Sequence, residues 1–442
     1  MVGSRSHQVA DFATSLVWAD LPTRVQEQSI RCALDLCGTA VAGSRTRVAQ
    51  IAARYAVDAY GEGRASIIGH TSGTTPAGAA VANSFATSAL DLDDGYRTLK
   101  GHPGAAVFPA VLAAAEHVAA SGDEFLTALV IGYEIAIRAG LILHPLYGFY
   151  HGTGAWAPVG AAAAAARLLG CTPAQTWHAL GIAEFHAPMT PEMRSVDNPS
   201  MLKDGIGWAG TVGLAAAQLA SHGFSGIPSL FDADLEAALP VTEGLGRDYL
   251  CLGLYFKPYA CCRWAQPAVE GALAAVQELV VTHAEVARVQ VHTFAAATHL
   301  RCVEPESTEE AQFSLPWPVA CALVDGEVGP DQVLEDRLRD PVLRRMAGRV
   351  EMIVDPALEQ AFPERALAWV TVESADGRRA HSGVLAARGD ADAPLSDGEL
   401  GQKFTRLAAP VLGRETADEI ALTIGTLPQA PRLDRLTRLL QR

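Results

Sequence analysis

Positive charge is scarce in this chain. Its 442 residues carry 34 Lys and Arg against 49 Asp and Glu, a formal net charge of −15. A nucleic-acid partner is excluded on that ground, because phosphate binding needs a basic surface that releases counterions. An acidic membrane surface is disfavoured for the same reason. Charged residues of both signs make up only 19% of the chain and hydrophobic ones 49%, so a large buried core is expected rather than disorder. The longest apolar runs are interrupted by Pro109, Glu116, His117 or Arg167 and are expected to fall short of a membrane span. The polar stretch Met1 to His7 has no apolar signal-peptide segment, which points to a cytoplasmic protein.

Cofactor signatures are missing as well. The eight cysteines (Cys32, Cys37, Cys171, Cys251, Cys261, Cys262, Cys302 and Cys321) follow no zinc or iron–sulfur ligand spacing and are expected as reduced thiols. Gly69-His70-Thr71-Ser72-Gly73-Thr74-Thr75 lacks the phosphate-loop lysine. Gly152-Thr153-Gly154 and Gly205-Ile206-Gly207 follow no βαβ strand, and neither a G-x-S-x-G elbow nor an HExxH pair occurs. No metal and no organic cofactor is expected.

What the chain does have is helix. Segments near Val9–Trp18, Pro22–Ala42, Val48–Tyr60, Ala77–Ala89, Pro103–Ala120, Glu124–Leu143, Ala155–Leu169, Pro173–Ala187, Leu202–His222 and Gln266–Leu279 carry apolar residues at helical spacing. After Thr282 the pattern alternates: Val286–Phe294, Val350–Val354, Trp369–Ser374 and Arg379–Val384 predict strands, the last two joined by an Asp376-Gly377 turn. Helices are expected between them at Ala311–Leu323 and Asp331–Met346, and beyond them at Ser396–Leu412 and Thr416–Leu422. The expected fold is mainly α: a large all-α helical domain, 1–280 with 396–442, and a smaller α+β lid domain, 281–395.

Four polar clusters interrupt this apolar text. Asp91-Leu92-Asp93-Asp94 ends one helix, and His102 stands just before Pro103, a favoured first helical residue. A helix N-terminus there could dock an anion beside the imidazole, although a solvated acidic turn with a surface histidine has the same local pattern. Tyr150-His151-Gly152-Thr153 precedes an alanine-rich helix; Thr153 could cap it, and His151 could move a proton or merely face solvent. Lys203 in Lys203-Asp204-Gly205 could meet a substrate carboxylate or snorkel to water. Phe256-Lys257-Pro258-Tyr259-Ala260-Cys261-Cys262-Arg263 lies at the junction with the lid, where Lys257 and Arg263 could clamp a carboxylate.

In order along the chain, these motifs resemble the MmgE/PrpD family, whose members include 2-methylcitrate dehydratase, cis-aconitate decarboxylase and iminodisuccinate epimerase. The resemblance runs from Gly101-His102-Pro103-Gly104 through His151-x-Thr153, Lys203-Asp204-Gly205 and Lys257-Pro258-Tyr259 to Ser314-Leu315-Pro316-Trp317 and Leu323-Val324-Asp325-Gly326. It implies an all-α domain with an α+β lid, a homodimer, an interdomain pocket and a small polycarboxylate substrate. Active-site positions carry over to Asp91, His102, His151, Lys203 and Lys257. Arg263, Thr153, Tyr259, Gln266 and Trp317 are expected to help Lys257 bind substrate. Three positions depart from the family's pattern: Gly95 stands where the decarboxylases carry Thr, Gln266 where many members have His, and Trp317 where many have Tyr.

The chemistry so implied is proton transfer at a carbon α to a carboxylate, without a cofactor. His102 would move the proton with Asp91 orienting it, and His151 would act as second acid/base. Lys203 and Lys257 would stabilise the developing negative charge. A dehydratase-like lyase is the leading expectation, a decarboxylase or epimerase of the same family the alternative. A non-catalytic carboxylate-binding protein is the reading from a different class.

Overall fold

Alanine and glycine let backbones approach closely, and the helical part of this protein is assembled on that principle. The computed structural model describes residues 4–441 apart from 235 and 237, so Met1 to Gly3 and Arg442, the extremes of the expected helical domain, lie outside the described residues. The Ala157–Leu168 helix is buried from Ala157 through Ala166 and packs between Gly122–Leu146 and Ile206–Ser221. A Cβ at Gly160 would stand 2.2 Å from the Gly132 carbonyl, so these two helices cross at a distance only glycine permits.

Gly122–Leu146 is, by length and composition, apolar enough to cross a membrane, which corrects the expectation that no run reaches that length. Its most apolar window is 94% buried inside the protein. It forms the axis of the largest core cluster, with Phe125, Leu129 and Ile135 fully enclosed.

The lid is built on a five-stranded sheet. Val286–Thr293 lies between Val350–Val354, parallel, and Leu367–Ser374, antiparallel; Arg379–His381 and Leu385–Ala386 both pair with Leu367–Ser374. In this register Val291 faces Met352 on one side and Val370 on the other.

Three boundaries differ from expectation, each for a physical reason. The Gln266–Leu279 helix packs on the Leu367–Ser374 strand and the Pro316–Asp325 helix, and its Ala268, Val269 and Ala272 share a core with Val289, Val370 and Val372. It therefore belongs to the lid rather than to the helical domain. The segment expected as Ala311–Leu323 is two helices, Thr308–Gln312 and Pro316–Asp325, because Pro316 starts a new helix and Ser314 Oγ accepts the Trp317 amide. Asp331–Met346 divides likewise into Pro330–Val333 and Pro341–Ala347, the second capped by the Asp340 carboxylate.

The C-terminal helices return to the helical part, where Asp397–Leu412 packs along Thr23–Gly43. That return matters for the site. It carries Lys403, whose Nζ is buried and donates to Asp35 Oδ1 at 2.6 Å and to the Leu92 carbonyl at 2.7 Å.

Candidate active site

The acidic turn 91–94 sits inside the protein and not on its surface. Asp91, Asp93 and Asp94 are all buried, and two buried lysines from distant parts of the chain support the turn. Lys403 holds the Leu92 carbonyl from beneath, and Lys257 donates to the Asp91 carbonyl at 3.0 Å and to its Oδ1 at 2.6 Å. Burial alone would raise the Asp91 pKa, but Lys257, then Lys203 and His102, outweigh it and hold the carboxyl ionised, well below the usual range. The same pairing outweighs the burial of Lys257 and pushes its pKa above the usual value.

Asp94 has the opposite fate. Burial, reinforced by Asp35 and Asp93, lifts it to about 8. It accepts from the Gly104 amide at 3.1 Å and from the Tyr133 hydroxyl, so its carboxyl occupies the N-terminus of the Pro103–Val118 helix. This corrects the idea that a substrate anion docks there. Gly104 is required, since a Cβ would lie 2.4 Å from both Asp94 Oδ2 and the Tyr133 oxygen.

Five groups surround His102. Its amide donates to Thr153 Oγ1 at 2.9 Å, and its ring Nδ1 lies 3.0 Å from the Asp94 carbonyl and 3.5 Å from Asp93 Oδ2. A carbonyl can only accept, so Nδ1 carries a hydrogen; in the neutral ring this leaves the lone pair on Nε2. Nε2 lies 3.7 Å from Asp91 Oδ1 and 4.0 Å from Asp204 Oδ2. Thr153 thus serves His102 instead of capping the alanine helix.

His102 faces a small cavity of about 50 Å³ between the two parts, bounded among others by Asp91, Lys100, Tyr150, Glu192, Asp204 and Tyr255. Arg97 and Arg263 also face it, but both guanidinium groups are tied to Asp390 of the lid. Lys100 is different: among the described residues its ammonium has no ion pair and lies over the Tyr150 ring, 4.4 Å from its centroid. Burial lowers its pKa.

Backbone strain gathers here. Of the six described non-glycine residues with left-handed φ, four are Asp91, Lys100, Lys203 and Asp204; the other two, Ala119 and Val280, end helices. Such conformations cost about 1–3 kcal/mol each and persist where the surroundings over-determine them.

The remaining expected site residues are placed apart from the cavity. Lys203 is buried behind it, donating to Gln312 Oε1 at 2.7 Å with its ammonium over Phe313. His151 turns away, with Nε2 on the Tyr147 carbonyl at 3.1 Å and its ring against Phe149. The pairing explains this: His151 bridges Pro191 in an extended pairing, side chains alternate along an extended segment, and Tyr150 takes the cavity side. Gln266 accepts from Arg263 and donates to the Tyr259 and Cys261 carbonyls, so it fixes the junction loop. The Tyr259 hydroxyl donates to Glu270 in a separate groove. Trp317 lies in the lid core with its indole on the Gln332 carbonyl.

Gly95 has a structural partner. It pairs with Tyr255, whose ring fills the space a side chain would need, 2.3 Å from a Cβ at residue 95. Asp91, Asp93 and His102 offer ligand atoms within 4.8 Å of one another. A metal cation there would, however, have to share Asp91 with the Lys257 ammonium and tolerate its charge.

Two sequence profiles cover most of the chain: the MmgE/PrpD N-terminal domain matches residues 7–238 and the MmgE/PrpD C-terminal domain residues 259–428. This chain belongs to the MmgE/PrpD family. Full-length relatives include the cis-aconitate decarboxylase-like protein oryM of Aspergillus oryzae, 25% identical over 99% of this chain and 97% of its own length. The cis-aconitate decarboxylases of Aspergillus terreus (26% identical, 97% of this chain and 93% of that one) and Homo sapiens (27%, 100% and 95%) are similar to the same extent.

Proposed function

We propose that this family member is a lyase acting on a small polycarboxylate, with His102 as the base and no metal taking part. The observation that carries the reading is the Lys100 ammonium, without an ion pair among the described residues, facing the same cavity as His102. A substrate carboxylate would complete the pairing that Arg97, Arg263 and Lys257 already have, and would place its α carbon toward the imidazole. Lys257 and Lys203, fixed behind the cavity, would stabilise the negative charge that develops next to a carboxylate.

Loss of carbon dioxide is favoured by the relatives, several of which are named cis-aconitate decarboxylases. Loss of water is favoured by a site observation, since His102 faces carboxyl groups across the cavity and elimination of water uses both a base and an acid. The cavity is far smaller than the roughly 300–1,000 Å³ usual for ligand sites, so the Asp390 contacts to Arg97 and Arg263 would have to loosen for substrate to enter.

Incubating the protein with cis-aconitate, citrate and 2-methylcitrate in deuterated water tests this, with carbon dioxide release and NMR of the products as readouts. Conversion of none of them, with no deuterium entering any, would sink the lyase reading and leave a carboxylate-binding protein. A homodimer is part of the proposal: Phe185, Met189 and Leu202 are each about 70% exposed on the helical part, and a second copy would cover such a surface. Sedimentation should show a dimer at micromolar concentration.

A further inference from the structure

Two buried oxygens beside the cavity lack partners: Glu192 Oε2 and Asp204 Oδ1. Their residues are 3% and 7% exposed, both line the cavity, and they come from different segments, the Glu192–Asp197 helix and the turn before Ile206–Ser221. The backbone brings the two residues together at Gly152, where an added Cβ would also lie 3.1 Å from the Asp204 carbonyl oxygen. Glu192 donates its amide to the Tyr150 carbonyl at 3.0 Å, and Gly152 donates to the Thr190 carbonyl at 2.8 Å. A Cβ at Gly152 would stand 2.3 Å from Glu192 Oε2, so the glycine makes room for that carboxyl. Two adjacent carboxylates in a buried site would repel each other and leave lone pairs unsatisfied; one proton between them resolves both problems.

From this geometry we infer that Glu192 and Asp204 share one proton and that this pair is the acid of the site, opposite the His102 base. Asp204 Oδ2 lies 4.0 Å from His102 Nε2, so base and acid face a common space. Burial, then the Asp204 charge, pushes the Glu192 pKa well above the carboxylate range, with Asp91 adding and Lys203 opposing. Tyr150 and Cys262 are the other titratable groups near the pair, and burial raises the pKa of both. The pair therefore takes the place that sequence reasoning gave to His151.

The proton accounting closes for either bond cleavage. In decarboxylation the C–C bond to the carboxylate breaks, carbon dioxide leaves, and the electron pair left on the α carbon takes the shared proton, which solvent replaces. In dehydration His102 Nε2 takes the α hydrogen, the double bond forms, and the departing hydroxyl takes the shared proton and leaves as water. The imidazolium then gives its proton to solvent and the pair regains one. The catalytic role rests on the lyase reading; the shared proton does not.

Infrared spectroscopy of the ligand-free protein at neutral pH tests the proton itself. A protonated-carboxyl C=O band that shifts in deuterated water should be missing from Glu192→Gln, while Asp94→Asn should remove a different band. An unchanged Glu192→Gln spectrum would overturn the inference. If that variant does not fold, Glu192→Asp decides: a displaced band supports the pair and an unmoved one refutes it. Turnover of whichever test acid the parent converts then examines the role. Glu192→Gln should lower kcat by about 10²- to 10⁴-fold with KM little changed. It should also abolish the alkaline fall in kcat that marks loss of the shared proton. Parental kcat with the same alkaline fall would refute the role. If the parent converts no acid, the lyase reading fails and the infrared result still judges the pair.

Discussion

His102 and His151 look alike along the chain and differ completely in the fold. Each follows a polar turn and precedes a helix of small residues. His102 meets three carboxylates and a backbone carbonyl, and its free nitrogen faces the interdomain cavity. His151 spends Nε2 on a carbonyl four residues earlier and rests on Phe149. The difference lies in long-range partners, Asp204 and Thr153 for the one and Pro191 for the other. An imidazole becomes a proton-transfer group through what distant segments bring to it.

The largest expected effect breaks this comparison most directly. His102→Gln should cost about 10²- to 10⁴-fold in kcat, the range of a positioned acid–base group, while His151→Gln should keep turnover near the parent's. Equal losses in the two variants, with both folded by circular dichroism, would show that the placement of His151 misjudges its part.

A second contrast separates the lysines. Lys257→Met should destabilise the protein by about 3–5 kcal/mol, because it strands the Asp91 charge in the interior. Thermal melts will read this as a large fall in Tm. Lys100→Met removes an ammonium with no ion pair, so Tm should hold while KM rises about 10- to 100-fold, the worth of a charge-assisted contact of roughly 1.5–3 kcal/mol. A lowered kcat at unchanged KM would instead place Lys100 in the chemical step.

Smaller again is the effect at Gly95. Gly95→Thr should destabilise by about 1–3 kcal/mol through overpacking on Tyr255, and Tyr255→Ala in the same chain should recover much of it. Denaturant unfolding of both single variants and the combination measures the coupling. Purely additive effects would mean that Tyr255 does not occupy the space where the decarboxylases are expected to carry threonine.

How much of this was legible in the chain follows from the range of the forces involved. Helices such as Thr23–Gly43 and Gln266–Leu279 and the strand Val350–Val354 lie where periodicity puts them, because their apolar spacing is local. The allegiance of Gln266–Leu279 to the lid was not legible, since it depends on partners about a hundred residues away. In the site, His102, Asp91 and Lys257 stood out as charged residues amid apolar sequence. Glu192 did not, because nothing near it in sequence announces Asp204, and Lys100 reads as one more charge in the loop before His102. The one signal that could have found Glu192 is a glutamate beside Pro191 and opposite Gly152, which becomes informative only once the two segments are known to pair.

The subtlest expected effect concerns Asp94, the neighbour of Asp91 with the opposite charge state. Its pKa in the folded protein is raised to about 8, chiefly by burial, against an ordinary carboxylate value near 4 when unfolded. The folded state therefore binds the proton more tightly, and the stabilisation this gives is fully present below about pH 4 and is lost as pH rises through about 8. Asn at this position reproduces the protonated form: its oxygen can accept from Gly104 and its amide can donate to the Tyr133 oxygen. Asp94→Asn should accordingly show a smaller fall in Tm between pH 6 and pH 9 than the parent, and the two curves should converge toward the acid end. A parent Tm that rises across this interval relative to Asp94→Asn would mean that Asp94 is ionised beneath the site, as Asp91 is, and that the two neighbouring carboxyls are not held in opposite states.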